Sequence, residues 1–314
     1  MVAGGAAAAD DPMIHAPRLR PGDLIRVVAP SGPVPRDAFE SGLAVLRARY
    51  QVQFDEGLFA REGFLAGPDQ RRLDELRAAL ADPAARAVVM ARGGYGLLRL
   101  LPFLDPAALA AAPRPVVGFS DGTALLSLAA RAGVAAIHGP VMTQLGGLPA
   151  TDQQALIQLL ENPAPGVLLA ELDELIPGRV QGPLLGGNLE VFSRLLGTPF
   201  LPDLTGAILF IEDSGERPYR LDRLITHLDL AGVFSAVSAV VVGDFSGCKE
   251  PEALREGSPS ASEVLLDRLA RLPIPVVLGA QVGHGSRNLA LPYGCLAELD
   301  TRHGTLVALE GVVS

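Results

Sequence analysis

The chain contains no tryptophan, a single lysine (Lys249) and two cysteines (Cys248 and Cys295). Each scarcity removes a class of chemistry. A phosphate-binding loop of the Gly-Lys-Ser/Thr kind needs its own lysine, and Lys249 stands in Gly-Cys-Lys-Glu. A Schiff-base or Ser-Lys mechanism would rest on that same residue. Two cysteines cannot staple 314 residues, so they fit burial or a reducing compartment. The five histidines are scattered, none lies at metal-ligand spacing from a cysteine, and there is no His-Glu-x-x-His. No metal and no cofactor are expected, and no Gly-x-Gly-x-x-Gly marks a dinucleotide site. No uncharged apolar run reaches the length of a membrane span. Residues 1–12 have neither a basic start nor a long apolar core, so they do not read as a signal peptide. A cytoplasmic protein is the expectation. Net charge is −9 without a basic run, which argues against nucleic acid and anionic membranes as partners.

What is present is apolar. Hydrophobic residues make up 49% of the chain and charged ones 19%, which suits a packed core rather than disorder. Short apolar runs alternate with helical spacing. Leu24 to Pro30, Ala87 to Ala91, Pro115 to Phe119 and Val134 to His138 read as strands. Asp37 to Arg49, Asp69 to Ala81 and Thr123 to Ala132 read as helices, with a Leu-rich helix after Gly96. This order implies βαβ units and a mostly parallel sheet. Residues 1–16 read as a disordered extension, 17–162 as the first domain, 163–179 as a linker rich in breakers, and 180–314 as a second domain. That second region alternates too, with strands at 207–211 and 239–243 and two terminal apolar runs.

The sharpest chemical signal is Gly118-Phe-Ser120-Asp-Gly122 between a strand and a helix. Gly-x-Ser-x-Gly in that setting is a nucleophile elbow: the turn strains the serine backbone and projects its hydroxyl at a strand end. The helix beyond offers free amides to an oxyanion. The bland alternative is a helix cap by Ser120 or Asp121. Arg92-Gly-Gly-Tyr-Gly96 forms a second strand–turn–helix and is the natural second oxyanion donor. A serine nucleophile needs a base and an orienting group. His15 lies in the tail, His303 in a polar turn, His227 within a helix, and His138 at a strand end. His284, in the polar loop Gly283-His-Gly-Ser-Arg-Asn288, is the best-placed base. Glu212-Asp213, directly after a strand, holds the candidate acid, with the choice between the two open.

Taken together, Gly22-Asp-Leu-Ile-Arg-Val-Val-Ala-Pro-Ser31, Arg92-Gly-Gly-Tyr-Gly96, Gly118-Phe-Ser-Asp-Gly-Thr-Ala-Leu125, His138-Gly-Pro140, Gly186-Gly-Asn-Leu189, Ile208 to Asp213, Tyr219 to Arg223 and Gly283 to Asn288 resemble the LD-carboxypeptidases, serine peptidases of cell-wall recycling, and their microcin-hydrolysing relatives. The resemblance implies an α/β fold: a Rossmann-like N-terminal domain with a parallel sheet and a β-rich, swivelling-type C-terminal domain. It implies Ser120 as nucleophile, His284 as base and Glu212 as its orienting acid. It further implies the amides of Gly94 and Asp121 as oxyanion hole, Asn188 as a substrate contact, a murein peptide as substrate, a homodimer and no metal. Gly122 departs from the family's larger residue there and is expected to loosen the elbow. The lack of tryptophan speaks against the microcin branch. Outside the family, an α/β-hydrolase esterase shares the order Ser, acid, His but would need a His-Gly-Gly-Gly-type loop. A silent two-lobed binding module is a further alternative, disfavoured by the presence of all three triad residue types.

Overall fold

The computed structural model describes residues 13–254 and 256–314. The first five strands are β1 (Leu24–Val28), β2 (Gln51–Gln53), β3 (Ala85–Met90), β4 (Val116–Gly118) and β5 (Ala136–His138); four follow the sequence reading closely, and β2, only three residues long, was not read from the sequence. Nine more follow: β6 (Val167–Leu169), β7 (Asp173–Ile176), β8 (Arg179–Asn188), β9 (Ile208–Glu212), β10 (Ala239–Val242), β11 (Val276–Leu278), β12 (Leu291–Tyr293), β13 (Leu296–Asp300) and β14 (Thr305–Ala308). They form two sheets, in the orders β12-β5-β4-β3-β1-β2 and β6-β14-β13-β8-β9-β10-β11-β7. In the first sheet β1 to β5 run parallel, with β12 antiparallel at the edge. The second is mixed: β8 to β11 are parallel and the flanking pairs antiparallel. The fold is therefore the expected α/β pairing of a parallel sheet with a β-rich second sheet.

Short apolar strands buried on both faces explain why the parallel cores read as near-continuous Val, Ile and Ala. Val88, Val89, Val117, Ile208, Leu209, Val240 and Val241 are all fully buried. Residues 123–129 of the helix Thr123–Arg131 are buried on every side, as a helix between two layers must be. A single apolar cluster runs from Val88 and Phe119 through Leu125 to Phe210 and Val240. The two sheets thus share one core.

Three expectations need correction. Residues 163–179 are not a plain linker: they carry the edge strands β6 and β7, whose three or four residues are too few to show a period. Met13–Ala16 are not a loose extension, because Ile14 bridges Val134 and Ala16 bridges Val313; residues 1–12 lie outside the described set. The Leu-rich stretch after Gly96 makes two single 3₁₀ turns, Leu97–Arg99 and Leu101–Phe103, rather than a helix. Pro102 lacks the amide that a continuing helix requires. Strand β12 was also not legible, and it carries the chain from the second region back onto β5. Its Tyr293 hydroxyl lies 2.9 Å from Ser127 Oγ and donates to the Gly186 carbonyl at 3.2 Å, tying the two regions together within the core.

Candidate active site

Parallel strands end on the same side of a sheet, and here β3, β4, β8 and β9 from both sheets all deliver their C-terminal ends to one cleft of about 770 Å³. Ser120 stands just past β4 with φ of 60°, one of two non-glycine residues with positive φ among those described. That conformation costs about 1–2 kcal/mol for an L-residue. Packing holds it there. A Cβ on Gly93 would fall 2.6 Å from Ser120 Cβ and 2.8 Å from its Oγ. Gly118 and Gly122 both lie on Met90, where a Cβ would come within 3.0 and 2.8 Å of the sulfur. Gly122 therefore seats the elbow tightly on Met90 instead of loosening it. Gly93→Ala is expected to lower stability by about 1–3 kcal/mol through overpacking. A urea midpoint equal to that of the parent would show that Ser120 is free to move.

Two amides near Ser120, those of Gly94 and Asp121, have no backbone acceptor among the described turn and loop contacts. Gly32 N–H donates to the Gly93 carbonyl at 3.0 Å. Because the peptide is trans, the Gly94 N–H then points away from Gly32. Asp121 lies in the first turn leading into the helix Thr123–Arg131, where amides have no helical acceptor. The Asp121 side chain has a separate task that sequence reading missed. Its buried Oδ2 accepts from Ser31 Oγ at 2.6 Å and from Leu97 N–H at 2.9 Å. One carboxyl thus joins the loops after β1, β3 and β4. Burial pushes it up from the usual carboxylate range, against the pull of those two donors.

His284 reaches the cleft from the second region. Its Nδ1 lies 2.7 Å from Oε2 of the fully buried Glu212. The neighbouring carboxylate takes other partners. Asp213 accepts from Asn188 Nδ2 and from the amides of Ser214 and Glu190, and burial pushes its pKa up to about 6. The structure thus puts Glu212, not Asp213, on the imidazole. Burial alone would lower the His284 pKa. The hydrogen bond and charge of Glu212, with Asp213 and Asp244 behind, outweigh it and hold His284 above its ordinary value. Glu212 itself is pushed up by burial and pulled back by His284.

Phe119 joins the elbow to the imidazole: its ring centroid is 4.3 Å from that of His284. Ser120 and His284 line the same cleft, without a hydrogen bond between them among the described contacts. Such bonds often close only around a ligand. The loop carrying His284 is anchored on the first region. Gln144 Nε2 donates to the Gly283 carbonyl at 3.0 Å, and Asn288 Nδ2 donates to Gln144 Oε1 at 2.7 Å. Arg287 pairs with the buried Asp152 at 2.6 Å. Gln144 and Asp152 carried no sequence signal, because their partners lie more than 130 residues away.

Asn188 also lines the cleft. Its amide donates to Thr123 Oγ1 at 3.0 Å, and its side chain caps the helix Leu189–Ser193 through Val191 N–H. His138 takes no part. It is fully buried between Phe119 and Phe210, with neither ring nitrogen partnered, and burial drives its pKa down to about 3. Among the described residues no group of three or more His, Cys, Asp or Glu is placed to hold a metal ion. A strained serine, a carboxylate-backed imidazole and free amides on one cleft can perform acyl transfer.

Family models of the LD-carboxypeptidase N-terminal and C-terminal domains match residues 25–139 and 181–299. The chain is similar to the murein tetrapeptide carboxypeptidase of Pseudomonas aeruginosa, at 36% identity over 88% of this chain and 92% of that one. Among solved structures it is similar to the muramoyltetrapeptide carboxypeptidase from Oxalobacter formigenes, with a TM-score of 0.79 and 31% identity over 92% of this chain and 98% of that one. The microcin C7 self-immunity protein MccF shares the fold, with a TM-score of 0.88 at 24% identity over 96% of this chain and all of that one.

Proposed function

Since the chain belongs to the LD-carboxypeptidase family, we propose that it is a serine carboxypeptidase that removes the terminal D-alanine of murein tetrapeptides. It would cut the bond after the L-centre of the diamino acid. The observation that carries this is the strained Ser120 sharing a cleft with an imidazole already bonded to a buried carboxylate.

In this reading His284 Nε2 takes the Ser120 proton as Oγ attacks the scissile carbonyl. Glu212 holds the Nδ1–H and stabilises the imidazolium. The amides of Gly94 and Asp121 donate to the oxyanion as charge develops on it. Collapse breaks the C–N bond, and the imidazolium returns its proton to the leaving D-alanine nitrogen. Water then repeats the cycle on the acyl-serine and frees the tripeptide. Asn188 fixes the wall beside Asp213 and is a substrate contact in the same reading. A homodimer belongs to it through the family resemblance, and a cytoplasmic location remains the expectation from the sequence. Among the described residues no helix is long and apolar enough to cross a membrane.

The base must be neutral to act, and its pKa is raised. Activity is therefore expected to fall as pH drops through a value above the ordinary 6.5 of histidine. Glu212→Gln removes the charge that raises it, so the acid limb of kcat/KM should move to lower pH while kcat declines. A limb that stays put in Glu212→Gln would detach the two residues.

The function is tested by incubating the protein with L-Ala-γ-D-Glu-meso-diaminopimelate-D-Ala and weighing the products. Loss of one alanine residue is expected. An intact tetrapeptide alongside a cleaved aminoacyl sulfamoyl nucleoside would favour a microcin-type activity instead. The absence of tryptophan supports the murein reading.

A further inference from the structure

Two arginines line the cleft beside Ser120, Arg92 and Arg194, and Arg92 also lines the adjoining cavity that Pro33 borders. Arg194 is neutralised: its Nε and Nη2 donate to Glu190 Oε1 at 3.0 and 2.5 Å. The acidic residues of the cleft are likewise engaged. Glu216 pairs with Arg220 at 2.9 Å, Asp213 accepts from Asn188 and backbone amides, and Asp121 serves the three loops. Arg92 differs from all of them. Its Nη1 donates to the Pro33 carbonyl, and no carboxylate forms an ion pair with it among the described residues. It is half-buried, so its charge has lost part of its water without gaining a counter-ion, which is unfavourable unless a ligand supplies one. Its Nε and Nη2 remain as donors in a planar fork suited to a carboxylate.

Its place in the chain, next to the loop that meets Ser120, points to one carboxylate. Arg92 directly precedes Gly93, whose Cβ position is 2.8 Å from Ser120 Oγ, and Gly94, whose amide faces the oxyanion in the proposed mechanism. In a peptide cut at its last bond, the free α-carboxylate sits one residue beyond the scissile carbonyl, a step of about 3.8 Å between Cα atoms. We propose that Arg92 binds the C-terminal α-carboxylate of the leaving residue and so restricts the enzyme to exopeptidase cleavage. This inference rests on the peptidase reading above, but it is read by binding, which needs no turnover.

The test uses full-length Ser120→Ala protein and calorimetry with two ligands, the tetrapeptide and its C-terminal carboxamide. The acid is expected to bind about 10- to 100-fold tighter than the amide, as befits a charge-assisted pair. Adding Arg92→Gln should bring the acid down to the level of the amide and leave amide binding unchanged. Arg92→Lys should restore part of the preference, and Arg194→Gln should keep it. A preference that survives Arg92→Gln, or that follows Arg194 instead, would overturn the assignment. So would equal losses for acid and amide, which would mean that Arg92 only shapes its loop through Pro33. An Arg92-dependent acid preference in a protein that turns over no peptide would sink the peptidase reading and leave the carboxylate site standing.

Discussion

Ser120→Ala is expected to cut D-alanine release by on the order of 10⁵-fold while the thermal melt stays near that of the parent, since the change removes only a hydroxyl facing the cleft. His284→Ala should fall about as far, because a serine hydroxyl without its base is a weak nucleophile at neutral pH. The double variant should lose little beyond either single one. The two act as a unit, and once one is gone the other has no task. Glu212→Ala should be somewhat milder in kcat, since the carboxylate orients and stabilises the imidazole without making a bond. It should also cost stability, because Glu212 is fully buried and its loss leaves both a void and an unpartnered Nδ1–H. Losses in Ser120→Ala and His284→Ala that multiply in the double variant would show that the residues work separately.

Asp121→Ala should lose about 3–5 kcal/mol of stability along with most of the activity. The carboxyl accepts from Ser31 and Leu97 in a buried site. Without it a hydroxyl and an amide are left desolvated, at about 1–3 kcal/mol each, and a small void adds to that. The three loops after β1, β3 and β4, two of which line the cleft, also lose their common tie. Asp121→Asn is the informative companion. With its carbonyl oxygen in the place of Oδ2 it can still accept from both Ser31 and Leu97, so a loss nearer about 1 kcal/mol is expected. Denaturant midpoints check both. A harmless Asp121→Ala would mean that the loops hold their positions unaided, and an Asn as damaging as Ala would mean that the negative charge itself is needed.

The legible parts of the molecule are those whose cause is local. Short apolar runs do not need a partner to be recognised: Ala85–Met90 and Val116–Gly118 declare themselves by apolar continuity and by the glycines that follow or end them. The helix Asp69–Ala81 shows its period in Leu73, Leu76 and Leu80. The elbow was readable because strand, strained serine and helix are consecutive. What escaped is set by contacts between distant segments. Strand β12 contains a proline and exists because β5 offers an edge. Gln144 and Asp152 hold the His284 loop from the other region. The residues alone left Glu212 and Asp213 level, as strand-end neighbours of like chemistry; the geometry separates them by the partners each takes. The esterase alternative met the order of triad residues, but its single continuous sheet is not the architecture found, which divides the cleft between two sheets.

The central claim is that Ser120 carries the acyl group, and an activated ester of the murein tripeptide tests it most directly. With such a leaving group acylation outruns deacylation, so the acyl-enzyme accumulates. Acid quenching on the millisecond scale, followed by intact-protein mass spectrometry and peptide mapping, is expected to find one tripeptide acyl group per chain, on the fragment holding Ser120. Neither the adduct nor the burst should appear in Ser120→Ala. A burst that persists in Ser120→Ala, or an acyl group mapped to any other residue, would contradict the account.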